Sequence, residues 1–114
     1  TIVMKLPEDA IIASAKLTNY LLIYRSADDK SKFLSQAGYS LDNWQQLEAD
    51  LRNQILKLEA IPSEETNRFG DVYEIRGLLK GPNGLSLSII TIWMTEYETS
   101  QTKFVTLYPH KEVE

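Results

Sequence analysis

Apolar residues recur at helical spacing in the first half of the chain and at alternating spacing in the second. The segment 10–13 (AIIA) is short and apolar, a brief strand or a packed lead-in. Ser14 stands where an N-cap would, ahead of a helix through Lys16, Leu17, Tyr20 and Leu21. Residues 25–29 read as a polar loop. A short helix over 30–37 turns Phe33 and Leu34 inward, and Gly38 supplies a left-handed stop. Ser40 then caps the longest expected helix, 41–58, in which Leu41, Trp44, Leu47, Leu51, Ile55 and Leu58 form one apolar stripe. Both Trp44 and Trp93 read as core residues.

After Pro62 and a solvated loop over 63–68, the period changes. Tyr73, Ile75 and Leu79 share one face of a strand, opposite Glu74, Arg76 and Lys80. Gly81-Pro82-Asn83-Gly84 is a turn signal, because proline presets one dihedral and Asn-Gly tolerates positive φ. The next strand, 85–96, alternates until Ile89-Ile90, where a β-bulge or burial on both faces would shift the phase. A turn over 98–101 leads to a third strand, 103–108, which Pro109 ends before a charged tail. The order is helices and then a meander. This is an α+β signature in a single domain over 1–114, with a helical half over about 10–58 and a sheet half over about 72–109.

Composition narrows the chemistry. With no cysteine, disulfides, thiolate catalysis and cysteine-ligated metals are excluded, and a reducing cytoplasmic setting is expected. With one histidine, His110, a histidine-based zinc site would have to borrow carboxylate ligands, and neither metal nor cofactor is expected. No apolar run approaches the ~20 residues that span a bilayer. The first residues lack the apolar core of a signal peptide.

The net charge of −4 argues against a general nucleic-acid binder, and DNA is not an expected partner. Residues 1–57 carry seven basic and seven acidic side chains, whereas residues 58–114 carry five and nine. Lys16, Arg25, Lys30 and Lys32 make the best local basic cluster.

There is no Walker loop, GxGxxG, HExxH or GxSxG motif, so the chemistries they carry lack support. Lys30-Ser31-Lys32 at a helix start is a phosphate-holding triplet or a solvated helix face. Arg76 is a sheet-surface charge or a clamp on a phosphoryl group. Thr91, Thr95, Thr106, Tyr73 and Tyr108 are accounted for by strand packing alone. The pairs Glu48/Asp50 and Glu96/Glu98 receive no catalytic role.

Several phrases taken together resemble a known family: Lys16-Leu17-Thr18-Asn19-Tyr20-Leu21-Leu22, Lys30-Ser31-Lys32-Phe33-Leu34, Gly38-Tyr39 with Asn43-Trp44, Tyr73 leading to Gly81-Pro82-Asn83-Gly84, Thr91-Ile92-Trp93 and Thr106-Leu107-Tyr108. The family is a bacterial domain of unknown function, found as small stand-alone proteins and as the C-terminal module of polymorphic and phage-head-associated toxins. The resemblance implies a barnase/EndoU/colicin/RelE (BECR) type of fold whose open sheet face cleaves RNA. It implies Lys30, Lys32, Thr91, Thr106 and Tyr108 as candidate site residues, to which the physical reading adds Arg76.

The expected activity is metal-independent attack of a ribose 2′-hydroxyl on the adjacent phosphate, on RNA that includes transfer RNA as a candidate. A cognate immunity or antitoxin protein would hold it in check. The alternative is a non-catalytic interaction domain, a degenerate relative or the neutralising half of a protein pair. In that reading the acidic second half, with Glu96 and Glu98 beside a turn, would mask a basic partner.

Overall fold

The computed structural model describes residues 4–22, 30–63 and 68–110. The loop expected at 25–29 (with Arg25), residues 64–67 of the second loop, the tail after His110 and the side chain of Tyr20 lie outside the described residues.

Helix α1, Ser14–Lys16, continues as a π turn over Leu17–Leu21. Ser14 is its first residue and not its cap; Ala13 holds the cap position, and Thr18 Oγ1 donates back to the Ser14 carbonyl at 3.1 Å. Helix α2 spans Lys30–Ser35, and Gly38 follows with φ +94 as the left-handed stop. The third helix is shorter and less regular than 41–58. It runs as a 3₁₀ turn (Leu41–Asn43), then α3 (Trp44–Asp50), then a π turn (Leu51–Ile55) closed by Leu56 N–H to Leu51 O at 2.9 Å. At its start the Asn43 side chain accepts the Ser40 amide at 2.7 Å, one arm of a capping box. The buried stripe is therefore Leu47, Leu51 and Ile55, with Trp44 half-buried beside it, while Leu41 and Leu58 are exposed at the two ends.

Four strands follow: β1 (Ile61–Pro62), β2 (Gly70–Lys80), β3 (Ser86–Glu96) and β4 (Thr102–Pro109), antiparallel in the order β1-β2-β3-β4. The two-residue β1 carries no period and is absent from the sequence reading. The segment 10–13 contributes a single parallel bridge, Ile11 to Lys103, on the outer edge of β4. Ile89 and Ile90 stay in register and are both buried, so burial on two faces explains their phase shift. The irregularity falls instead at Ile92/Trp93, where Val105 of β4 is the extra residue.

One face of the sheet packs on the helices. Leu17, Leu21, Leu34, Leu47, Leu51 and Ile55 meet Ile75, Leu79, Ile89, Trp93, Phe104 and Leu107 in a single core. Each such burial contributes about 1.5–3 kcal/mol. The Trp93 and Phe104 rings meet edge to face at 5.3 Å. A polar clasp fixes the helical layer to the β2–β3 turn: Asn83 N–H donates to Ala37 O at 3.2 Å and its side-chain amide to Gln36 O at 2.9 Å. Gly81 is required there, because a Cβ would run into the Ala37 carbonyl and side chain.

Beneath the clasp, Tyr39 donates to Asp50 Oδ2 at 2.5 Å, and Gln46 donates to the other carboxylate oxygen. Burial and the Asp50 carboxylate together push the Tyr39 phenol far above its usual range. Gln54 closes the β2 edge by pairing with both the N–H and the C=O of Lys80, at 2.7 and 3.0 Å.

Candidate functional site

The opposite face of the sheet carries no second layer among the described residues. Register places its side chains in rows across β2, β3 and β4: Arg76, Ile90 and Tyr108 in one row, Glu74, Ile92 and Thr106 in the next. Ile90 and Ile92 make an apolar floor, flanked on the β2 side by Glu74 and Arg76. These two lie on one face because they are two positions apart, and the guanidinium is 3.2 Å from Glu74 Oε2. Arg76 is half exposed, which leaves it accessible to an anion in solvent.

On the β4 side, Thr106 and Tyr108 border the same floor. Helix α2 delivers Lys30 to this border. Lys30 lies one turn before the fully buried Leu34, so the same helix face that enters the core directs Lys30 to the sheet. Its ammonium donates to Thr106 Oγ1 at 2.9 Å, joining residues 76 positions apart.

Four of the six candidates, Lys30, Arg76, Thr106 and Tyr108, thus gather on or beside the open face. The other two do not. Thr91 pairs with Ile75 and Leu107 on the helix-facing side and is fully buried. Its hydroxyl donates to Ile75 O at 3.0 Å and accepts the Trp93 indole N–H at 2.7 Å. Both bonds belong to the core, which gives Thr91 a structural place. Lys32, two residues on from Lys30, is exposed and lines a separate shallow hollow with Ser31, Ser35, Tyr39, Ser40 and Leu41.

Glu74 is the residue that sequence reasoning passed over. The signal was present in the alternation Glu74-x-Arg76, which puts a carboxylate and a guanidinium side by side. No group of three potential metal ligands occurs among the described residues. Farther along the sheet, Glu96 is bonded by Lys103 and Thr99, which lowers its carboxyl below the usual value. Tyr97 donates to Asp71 at 2.9 Å, a bond that raises its phenol.

Within the described residues, no helix is long and apolar enough to cross a membrane. Nothing among curated proteins or solved structures matches the chain. The sequence profile of one family matches residues 5–111, and the chain belongs to that family, described as a domain of unknown function (DUF6883).

Proposed function

We propose that the open sheet face is the site of a toxin-type, metal-independent endoribonuclease with a BECR-like arrangement of helices on a sheet. The observation that carries this reading is the Lys30–Thr106 bond, which sets an ammonium and a hydroxyl across one apolar floor from the Glu74–Arg76 pair. Cleavage by an internal nucleophile needs a base at the 2′-hydroxyl, positive charge over the phosphoryl group and a proton for the departing 5′-oxygen. Glu74 has the chemistry of the base. Arg76 and Lys30 have that of the clamp, and the Thr106 hydroxyl can orient a phosphate oxygen. Tyr108, on the same face, is the candidate donor to the leaving oxygen.

A base seated on Ile90 and Ile92 would bury apolar surface while its phosphate meets the cations. A cognate immunity protein would act by covering this face. The protein is proposed to work on RNA in the cytoplasm of the cell it poisons.

A second reading, the non-catalytic interaction domain, draws on the apolar content of the same face: Leu78 is exposed, and Ile92 and Met94 are half-buried there. Inducible expression in bacteria separates the two. Growth arrest with discrete cleavage of one RNA class, lost in both Lys30→Ala and Arg76→Ala, supports the ribonuclease. Normal growth and intact RNA from soluble, folded protein would transfer the assignment to the interaction domain.

A further inference from the structure

A second concave site lies on the helical side of the molecule. The N-terminal strap is tied down at two points: Ala60 N–H donates to Met4 O at 2.8 Å, and Arg52 Nη1 donates to Glu8 O at 2.8 Å. Between the strap and the π turn that ends the third helix is a cleft of about 670 Å³. Its lining includes the well-buried Leu6 and Leu56, with Lys5, Arg52 and Lys57 around them and Asn53 alongside. Glu8 is the only carboxylate among the lining residues.

This arrangement runs against the rest of the chain. A protein of net charge −4 gathers three cations around one opening, where like charges repel. Neither Lys5 nor Lys57 enters an ion pair among the described residues. The π turn bears on the same point, since one-turn π irregularities within helices frequently accompany functional sites. Convergent polar groups around a cleft of this volume, with Leu6 and Leu56 at its base, match the dimensions of a small-molecule site, about 300–1,000 Å³.

We propose that this cleft binds a phosphorylated small molecule of nucleotide size. Its phosphate would meet Lys5, Lys57 and the remaining donors of Arg52. Its flat apolar part would lie against the aliphatic stems of Lys5, Arg52 and Lys57 above Leu6 and Leu56, and Asn53 would offer both a donor and an acceptor to a base edge. The proposal does not depend on the sheet face being catalytic, and its test reads binding alone.

The test is an amide-resolved NMR titration of the full chain with adenosine 5′-monophosphate, guanosine 5′-monophosphate, adenosine and inorganic phosphate. A saturable shift with at least one monophosphate is expected, centred on Asn53, Leu56 and Lys57. Adenosine and inorganic phosphate should each bind at least tenfold more weakly than that nucleotide. The double variant Lys5→Ala/Lys57→Ala should weaken nucleotide binding tenfold or more with an unchanged melting temperature, since both side chains are exposed.

Lys30→Ala should leave this binding in place. Loss of binding in Lys30→Ala but not in the double variant would put the nucleotide on the sheet and overturn the proposal. So would the absence of a saturable shift with either monophosphate. Inorganic phosphate binding as tightly as the nucleotides would reduce the cleft to a simple anion site, which also overturns it.

Discussion

Lys30 Nζ donates to Thr106 Oγ1 at 2.9 Å, so the first residue of α2 is bonded to the outermost long strand of the sheet. The contact is partly buried and its acceptor is a neutral hydroxyl. Lys30→Met keeps the aliphatic stem and deletes the charge. It should cost up to about 3 kcal/mol of stability, the upper range for a hydrogen bond made by a charged group. RNA cleavage should fall by tenfold or more. Equal loss of stability and activity, read by denaturation beside a cleavage assay, would mark the bond as structural.

Thr91 provides the converse case. Its hydroxyl satisfies the indole N–H of the fully buried Trp93, so Thr91→Val leaves that donor without a partner. The expected cost is about 1–3 kcal/mol. Urea denaturation should show a lower midpoint with an unchanged slope, and the folded fraction should keep full activity. A Thr91→Val protein as stable as the parent but inactive would return this residue to the catalytic list.

The contrast between these two threonines shows what was legible in the chain and why. Alternation through Tyr73, Ile75 and Leu79 and the Gly81-Pro82-Asn83-Gly84 turn fixed β2 and its reversal, because burial on one face leaves a period of two. Through Ile89 and Ile90 both faces are apolar, so the period cannot say on which side Thr91 falls. Only its pairing with Ile75 does. The irregular third helix was hidden for a related reason: an apolar stripe records which face is buried, not whether the backbone closes in i+3, i+4 or i+5 bonds. Several of the phrases that carry the resemblance have a structural role. Gly38, Asn43, Gly81 and Asn83 build the clasp between α2, the third helix and the β2–β3 turn, away from the candidate chemistry.

That clasp predicts a graded response to glycine substitution. A methyl at Gly81 meets the Ala37 backbone, which cannot move without opening the clasp. Gly81→Ala should therefore cost more than about 3 kcal/mol, in the range of severe core errors. At Gly84, with φ +89, a methyl meets open space, and only the left-handed conformation is penalised, by about 1–2 kcal/mol. Comparing the two variants by thermal melting should give a clearly larger drop for Gly81→Ala. Equal drops would mean that steric contact with Ala37 is relieved cheaply.

The buried Tyr39–Asp50 pair sets a limit on alkaline stability. Its folded-state phenol titrates well above the ordinary value of 10.0, because burial and the neighbouring carboxylate both disfavour the tyrosinate. The native state therefore holds a proton that the unfolded chain releases. Stability from this group is fully present below pH 10.0 and declines as the pH rises beyond it. Tyr39→Phe should flatten that alkaline decline while lowering stability at neutral pH by about 1–3 kcal/mol, since Asp50 loses a buried donor. An alkaline decline unchanged in Tyr39→Phe would assign it to other tyrosines.

Glu74 and Arg76 carry the sharpest consequence for mechanism. If Glu74 takes the 2′-hydroxyl proton, Glu74→Gln should lower the cleavage rate by about 10²–10⁴-fold and remove the acidic limb of the pH–rate profile. Substrate affinity should change little, because the phosphate contacts remain. Arg76→Ala should act differently, weakening RNA binding as well as turnover, with Arg76→Lys recovering binding more than rate, since an ammonium supplies charge without the bidentate fork. An acidic limb that persists in Glu74→Gln would place the base elsewhere. Loss of rate with the pH profile intact would leave Glu74 as the residue that holds Arg76 at 3.2 Å in position on the sheet.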